Sequence, residues 1–175
     1  MGKFVADMQK IRERARQQMN KGAVTDSYKA DRTEVINVLN EVLATELVCA
    51  LRYKRHYYTA KGINSESVRE EFLEHAKEEE EHADWVAERI TQLNGEPNFK
   101  PQTLGERSHS EYVEGKDLKE MIQEDLIAER IAIESYSEIV RWLKDSDPTT
   151  RRVLERILEK EEEHADDLAN LLTRV

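Results

Sequence analysis

The sequence contains few of the residues that end helices or cross-link chains. Its 175 residues include six Gly, three Pro and one Cys, and aromatic residues make up 6%. The single cysteine, Cys49, excludes an intramolecular disulfide. No segment approaches the roughly 18 apolar residues of a membrane-spanning helix, and the first residues contain no apolar signal core. We therefore expect a cytoplasmic protein of long helices with no membrane association.

The composition is that of a folded domain with an acidic surface. Hydrophobic residues make up 38% of the chain and charged residues 37%. This balance is too apolar for an intrinsically disordered chain. The formal net charge is −10, and the isoelectric point is near 5.1. Such a surface as a whole repels polyanions and attracts cations.

Apolar residues recur with helical spacing in five segments. The first segment, residues 4–20, has an apolar face opposite a basic face, and polar residues follow it. Four longer helical patterns cover residues 31–60, 65–93, 117–143 and 148–172. We therefore expect an N-terminal amphipathic helix and linker over residues 1–30 and a four-helix bundle over residues 31–175.

The connection between the second and third long helices is unusually long. Residues 94–116 contain three Gly and two Pro. A helix of about 28 residues is roughly 42 Å long, and about 20 extended residues can span that distance. The pattern therefore predicts two helical hairpins joined by one crossover that runs the length of the bundle.

The two predicted hairpins carry the same motif. The segment Glu-Glu-Glu-His-Ala-Asp occurs at residues 79–84 and again at residues 161–166. In the helix before each copy, a Glu is followed seven residues later by a Tyr: Glu46 by Tyr53, and Glu129 by Tyr136. An internal repeat of this kind predicts a site with pseudo-twofold symmetry between the hairpins.

Each long helix has a glutamate near the middle of its apolar face. Burial of one unpaired carboxylate costs several kcal/mol, and four carboxylates close together repel one another. Two divalent cations would balance the four charges, and a His three residues after a Glu points to the same side of a helix. Carboxylates with one imidazole per metal suit iron or manganese. The candidate metal-ligating and catalytic residues are Glu46, Glu79, His82, Glu129, Glu161 and His164.

A single Glu-x-x-His pair is weak evidence in a chain so rich in glutamate. Glu106 and His109 have the same spacing, but they lie in the crossover, away from any apolar face. We interpret them as surface or pore residues. Two such pairs on apolar faces, each matched by a Glu on the preceding helix, are much stronger evidence for a metal site.

Several residues near the candidate ligands have two possible roles. Tyr53 and Tyr136 either fill the core or support the metals. Asp125 could orient a ligand histidine. Cys49 is interpreted as a small buried hydrophobic residue, with a redox role as the alternative. Glutamates off the apolar faces, including Glu78, are expected to be solvated.

The six candidate ligands and their order resemble the ferroxidase centre of bacterioferritin and related ferritin-like proteins. The resemblance covers residues 33–172, including the segments at 93–98 and 125–129. It implies an all-α, ferritin-like four-helix bundle with an extra N-terminal helix, which oxidises Fe²⁺ with O₂ or peroxide and stores or detoxifies iron. It also implies terminal ligands Glu46 and Glu129, bridging ligands Glu79 and Glu161, and two iron ions per subunit, bound one each by His82 and His164.

Two features distinguish the chain from typical bacterioferritins. Glu80 stands where haem-binding members have a Met, so we expect no haem. The chain ends at Val175, without the short fifth helix that closes the fourfold contacts of bacterioferritins. Its N-terminal helix and long crossover resemble the Dps-like branch instead. We therefore expect a 12-subunit shell rather than a 24-subunit shell, with the metal site inside one subunit instead of between subunits.

Two other functions remain open. One is a Dps-like, DNA-protecting particle that binds through the basic residues of the N-terminal segment, Lys10, Arg12, Arg14, Arg16 and Lys21. The other is a di-iron or di-manganese oxidoreductase that stores no iron. The acidic charge of the chain makes DNA a less favoured partner than Fe²⁺ with O₂ or peroxide.

Overall fold

The computed structural model describes residues 5–62 and 65–174. Its helices are α1 (Met8–Ala15), α2 (Arg32–Thr59), α3 (Ser65–Gln92), α4 (Leu104–Arg107), α5 (Leu118–Leu143) and α6 (Pro148–Leu172). The described residues contain no strand. Helix α2 pairs with α3 and α5 with α6, which confirms the all-α, ferritin-like bundle of two hairpins. In these same ranges, no helix is both long enough and apolar enough to cross a membrane.

Aspartates cap three of the four long helices, because their side chains accept hydrogen bonds from otherwise unpaired backbone N–H groups. Asp31 accepts from the amides of Thr33 and Glu34 at the start of α2. At the starts of α5 and α6, Asp117 accepts from Glu120 N and Asp147 accepts from Thr150 N. The predicted first turns of these helices therefore begin within a residue of their observed positions.

Helix α3 ends in a tight turn that starts the crossover. Asn94 has a left-handed backbone (φ 59°), and the Gly95 amide donates to the Ile90 carbonyl at 2.9 Å. A Cβ atom on Gly95 would lie 2.9 Å from the side chain of Ile36 in α2. Glycine at this position therefore lets the chain cross closely over α2.

The crossover packs along α2 and reaches α5. Arg107 Nη1 donates to the Asn40 carbonyl at 2.7 Å, and the His109 amide donates to Thr45 Oγ1 at 2.9 Å. His109 Nδ1 lies 3.2 Å from Ser135 Oγ in α5. The crossover therefore covers the α2–α5 side of the bundle, and the opposite side is formed by α3 and α6.

Two apolar clusters lie at opposite ends of the bundle. The first contains the N-terminal part of α2, the C-terminal parts of α3 and α5 and the start of α6, with Leu39, Ile90, Leu143 and Leu154 fully buried or nearly so. The second contains Tyr53, Val68, Phe72, Ile122 and Leu168. The candidate ligands lie between these clusters, in the middle of all four long helices.

The N-terminal helix is shorter than its apolar spacing predicts. It covers Met8–Ala15 rather than residues 4–20, since Gln18 adopts a left-handed backbone (φ 50°) and interrupts it. Phe4, the first residue of the predicted helix, lies outside the described residues. None of the α1 residues is buried. The division of the chain at residue 30 stays a prediction.

Candidate metal centre

The structure brings all six candidate ligands together in the bundle core. Each is no more than 1% exposed. They form two groups whose ligand atoms lie within 4.8 Å of one another: Glu46, Glu79, His82 and Glu161, and Glu79, Glu129, Glu161 and His164. Glu79 and Glu161 belong to both groups. Two cations could therefore each have one terminal carboxylate and one imidazole while sharing two carboxylates.

Both imidazoles direct Nδ1 into the cluster. His82 Nδ1 lies 3.1 Å from Glu46 Oε2 and 3.0 Å from Glu161 Oε1. His164 Nδ1 lies 3.3 Å from Glu79 Oε1. The histidines come from opposite hairpins, and their rings are stacked with centroids 6.1 Å apart. The geometry agrees with the pseudo-twofold symmetry expected from the repeated motif.

The ligand atoms of the cluster are better suited to coordinating metal ions than to hydrogen bonding with one another. Among the described residues, Glu79 Oε1, Glu129 Oε2, Glu161 Oε1 and His164 Nδ1 are buried without a hydrogen-bond partner. Such atoms are rare in folded proteins because an unsatisfied buried polar group costs free energy. Within the same described ranges, no Lys or Arg forms a salt bridge with any of the four carboxylates. Divalent cations would satisfy both the orphaned atoms and the negative charge.

Burial and mutual repulsion give the carboxylates unusual proton affinities. Burial, reinforced by the other three glutamates, raises the pKa of Glu79 well above its ordinary value. Burial and the charges of Glu46 and Glu129 raise the pKa of Glu161 in the same way. Burial is the largest single effect on Glu46 and acts to raise its pKa, but the hydrogen bond and charge of His82, together with the hydrogen bonds from Glu79 and Tyr136, outweigh burial, and the net pKa is lowered. Cation binding would therefore displace protons from the shared carboxylates.

The two repeated tyrosines each contact a glutamate of the other hairpin. The Tyr53 hydroxyl in α2 donates a hydrogen bond to the Glu129 carboxylate in α5. Tyr136 in α5 donates to Glu46 in α2. Burial and the neighbouring carboxylates raise the pKa of both phenols well above the ordinary value, so both stay protonated donors. The contacts place both side chains beside the cluster, where they fix the orientation of the two unshared carboxylates.

The structure adds His75, which the sequence reasoning missed. Its side chain is 2% exposed and stacks on His164 with ring centroids 4.0 Å apart. His75 Nδ1 lies 3.2 Å from the Tyr53 hydroxyl oxygen. Burial lowers the pKa of His75 to about 3, so its imidazole is neutral at physiological pH. The available signal was its position, one turn before Glu79 on the same helix face.

Glu78 is not the purely solvated residue that its position off the apolar face predicts. Its Oε2 lies 2.8 Å from His164 Nε2, so the Nε2–H group of the imidazole donates a hydrogen bond to the Glu78 carboxylate. The bond leaves Nδ1 of His164 free to face the cluster. The equivalent residue in the second copy of the repeat is Lys160, whose Nζ lies 3.7 Å from Glu78 Oε1. The repeat is therefore asymmetric beside its ligands.

Asp125 orients a histidine that is not one of the candidate ligands. Its two oxygens lie 2.8 Å from His56 Nδ1 and 2.8 Å from Arg52 Nε. The sequence reasoning did not anticipate Arg52 as a buried partner. The prediction that Asp125 orients a ligand histidine therefore needs correction: the structure places it in a separate ion-paired group next to Tyr53.

The remaining candidates lie outside the cluster. Glu106 is exposed, and His109 is half-buried with its Nε2 3.4 Å from Glu41 Oε2, so this Glu-x-x-His pair does not form a joint site. Cys49 is buried, and burial raises the pKa of its thiol to about 11. The thiol is therefore protonated and behaves as a small buried side chain.

Trp85 lies beside only one of the two ligand histidines. Its ring centroid is 5.2 Å from that of His82. The Arg156 guanidinium covers the indole at 3.5 Å from the ring centroid. The repeat places Asp167 at the equivalent position of the other half, so no second indole lies near His164.

The fold and the cluster define a class of protein, namely helical bundles with a buried cluster of carboxylates and imidazoles that could hold metal ions. The chain belongs to the ferritin family: the family model described as "Ferritin-like domain" matches residues 36–175.

The similar proteins include bacterioferritins and DNA-binding proteins. Bacterioferritin of Desulfovibrio desulfuricans is 29% identical over 141 residues, covering 80% of this chain and 75% of that protein. Its X-ray structure, described for its diiron site, aligns with a TM-score of 0.72 over 81% of this chain and 80% of that chain. The nutrient stress-induced DNA-binding protein of Nostoc sp. is 30% identical, covering 85% of this chain and 80% of the relative.

A third similar protein is described as a dodecameric thioferritin, the bacterioferritin-related protein from Bacteroides fragilis. Its structure aligns with a TM-score of 0.80 and 33% sequence identity, covering 83% of this chain and 88% of that chain. The chain is thus similar to both the bacterioferritin and the Dps-like branches of the family.

Proposed function

We propose that the protein is a ferroxidase that oxidises Fe²⁺ with O₂ or peroxide and stores the product. The observation that carries this proposal is the pair of overlapping ligand groups, which share Glu79 and Glu161 and contain four orphaned donor atoms. Iron is the substrate, and the site binds two ions per subunit. Carboxylates and imidazoles are suitable ligands for iron in both its oxidation states.

The residues around the ions have distinct tasks in this proposal. Tyr53 and Tyr136 hold the unshared carboxylates in place by hydrogen bonds. Burial and repulsion raise the pKa of both shared carboxylates, so iron competes with protons for them and binds their negatively charged forms. Two Fe²⁺ ions together release two electrons to the oxidant, and the four carboxylates stabilise the additional positive charge.

Comparison of two glutamate variants tests the site assignment. Glu79→Ala removes a ligand shared by both ions, and we expect the initial rate of Fe²⁺ oxidation to fall at least about a hundredfold. Glu81→Ala is the control because this residue is exposed on the same helix turn. Absorbance of Fe³⁺ after anaerobic loading and oxygen addition gives the rates. Equal rates in wild type and Glu79→Ala would contradict the assignment of Glu79 as a shared ligand.

Storage requires a shell, and we propose one of 12 subunits. The similar Bacteroides fragilis protein is described as dodecameric, which supports this number over 24. Light scattering coupled to size exclusion measures the particle mass directly. A 24-subunit mass would overturn the number. An active monomer or dimer would instead favour a di-iron or di-manganese oxidoreductase that stores no mineral.

DNA binding is a second candidate function, supported by the exposure of α1. This helix buries none of its residues, and its basic side chains point to solvent. The Nostoc relative is named a DNA-binding protein. A gel shift at low salt that weakens steeply with added salt would support this function, and so would its loss in the triple variant Arg12→Gln, Arg14→Gln, Arg16→Gln. Absence of any shift at low salt would dispose of it.

A further inference from the structure

Helix α1 has an apolar face that is exposed to solvent. This face contains Met8, Ile11 and Ala15, and none of the eight residues of the helix is buried. Met8 is 51% exposed. Isolated helices shorter than about 12 residues are marginally stable in water, and helices in proteins gain most of their stability by packing an apolar face against other elements. A helix as short as α1 therefore requires a surface to pack against.

An apolar groove of suitable size lies on the exposed face of α5. Its volume is about 580 Å³, and Ile127 in it is 50% exposed. The residues that line it all belong to α5: Ile127, Arg130, Ile131, Glu134, Ser135 and Glu138. Exposed apolar surface with a charged rim is typical of sites that bind another protein element, and an amphipathic helix is a common occupant of such a groove.

The charges along α1 and along the α5 groove are opposite in sign and occur in the same order. Asp7 caps the start of α1, and Arg12 and Arg14 follow on either side of the apolar face. In the groove, Arg130 comes first and Glu134 follows one turn later, with a second glutamate after another turn. Within the described ranges, Arg12, Arg14 and Glu134 form no salt bridge. Parallel packing of the two helices would therefore place opposite charges beside one another, with apolar side chains between them.

The linker after α1 is fixed far from the groove of its own subunit. The Lys21 carbonyl accepts a hydrogen bond of 3.0 Å from Asn94 Nδ2, directly after the end of α3. Helices α3 and α5 are diagonally opposite in the bundle, because each of them packs against both α2 and α6. Helix α1 thus leaves the bundle at the corner opposite α5. The groove of a second copy of the chain is therefore the more accessible one.

We propose that α1 of one subunit packs in parallel into the α5 groove of a second copy of the chain. Contact between the two apolar faces stabilises α1, and the order of the charges determines the direction in which it lies. The contact involves none of the residues of the metal centre, and the inference does not depend on the ferroxidase function.

Disulfide cross-linking tests the contact in the full-length protein. The single native cysteine, Cys49, is buried, whereas Ile11 and Ile127 are exposed positions that should accept a new thiol. Oxidation of the double variant Ile11→Cys, Ile127→Cys should give disulfide-linked dimers, in which mass spectrometry finds residues 11 and 127 joined. The control Glu13→Cys, Ile127→Cys has its thiol on the opposite face of α1. It should give at least about tenfold less of the corresponding disulfide, because the two sulfur atoms cannot approach.

Co-expression of the two single variants shows whether the contact joins different chains. Tagged Ile11→Cys subunits should become linked to untagged Ile127→Cys subunits. A double variant that forms only an internal disulfide would overturn the proposal, since α1 would then lie on its own subunit. Absence of the 11–127 disulfide from both experiments would overturn it as well, and α1 would remain exposed for another partner such as DNA. Neither result would affect the ferroxidase proposal, because iron oxidation is not measured.

Hydrogen exchange tests the contact in the wild-type protein, without any substitution. In the nucleic-acid-free particle, the amides of α1 should exchange at least about tenfold more slowly than in an unfolded chain. Exchange at the unfolded rate would show that α1 is not packed and would contradict the proposal.

Charge reversal then tests the position of α1 in the groove. Glu134→Lys should reduce the protection of the α1 amides roughly two- to fivefold, because it replaces attraction to the arginines of α1 by repulsion. Adding Arg14→Glu to this variant should restore the protection. Glu162→Lys, an equal change of charge at an exposed residue of α6, is the control and should have no effect. If Glu162→Lys lowers the protection as much as Glu134→Lys does, α1 does not lie in the α5 groove.

Discussion

At the scale of single residues, the two metal positions have similar ligands, but the side chains that contact the two ligand histidines differ. His164 donates through Nε2 to Glu78, and His75 stacks on its ring. The repeat places Lys160 and Ile157 where Glu78 and His75 stand in the first copy. A carboxylate hydrogen-bonded to a ligand histidine fixes its tautomer and raises its basicity. The two positions should therefore differ in affinity.

The Glu78→Gln variant measures this support. We expect metal affinity at the His164 position to fall about 10- to 100-fold, with the His82 position unchanged. Zn²⁺ titration calorimetry resolves the two affinities. Glu162→Gln, an exposed glutamate on α6, is the control. An equal loss at both positions, or none, would show that Glu78 does not act through His164.

Tyr136→Phe removes the hydroxyl that donates to Glu46 and keeps the ring. The buried carboxylate then loses a charge-assisted hydrogen bond, so we expect the metal-free protein to lose about 1.5–3 kcal/mol of unfolding free energy. Urea unfolding in the presence of a chelator gives this value. Tyr112→Phe, at a 46% exposed residue, should change stability little. If both variants were equally stable, the Tyr136 bond would contribute nothing.

At the scale of the helices, Asp147 connects three parts of the chain. It caps α6 through the Thr150 amide at 2.9 Å, accepts from Arg89 of α3 at 3.0 Å and accepts from the Tyr28 hydroxyl at 2.8 Å. Asp147 is 2% exposed and Arg89 is 7% exposed. The linker before α2 and both hairpins are thus fixed to one buried carboxylate.

Asp147→Ala leaves the Arg89 charge buried without its partner and removes the cap. We expect a loss of about 3–5 kcal/mol in unfolding free energy, measured by denaturant titration. Asp145→Ala is a matched control, because Asp145 is 99% exposed and contacts only the surface residue Arg151 among the described ion pairs. A comparable loss in both variants would contradict the role of Asp147 as the buried connection.

The bounds of the long helices could be predicted from the sequence, since the spacing of apolar residues and the capping residues are local signals. The pattern over residues 65–93 became α3 at Ser65–Gln92, and the pattern at 148–172 became α6 at Pro148–Leu172. The ligand residues also share faces set by helical spacing. Glu78 and Asp125 could not be assigned correctly, because their partners depend on how neighbouring helices cross. The shortened α1 buries nothing, so its apolar spacing had no core to stabilise it.

At the scale of the whole molecule, the buried glutamates make stability depend on pH and on bound cations. Burial raises the pKa of Glu79 and Glu161 above the unfolded value. Groups shifted in this direction contribute stability that is present below the unfolded pKa and lost as pH rises through the folded pKa. Bound metal replaces the protons, so its stabilising effect should grow with pH.

Thermal unfolding from about pH 5 to about pH 8 tests this linkage. With a chelator, wild type should lose stability with rising pH relative to the double variant Glu79→Gln, Glu161→Gln, whose side chains cannot ionise. Saturating Zn²⁺ should stabilise wild type most at the upper end of the range and leave the double variant nearly unchanged. A constant difference between the two metal-free proteins would contradict the linkage.

The placement of Trp85 has an optical consequence. The chain has two tryptophans, and the other one, Trp142, is 46% exposed on α5. An ion bound by His82 lies next to the Trp85 indole, whereas an ion bound by His164 has no indole beside it. Iron in the centre should therefore quench the Trp85 emission, and more strongly at the position nearer His82. Filling of the buried centre can thus be followed by the protein's own fluorescence, without any label.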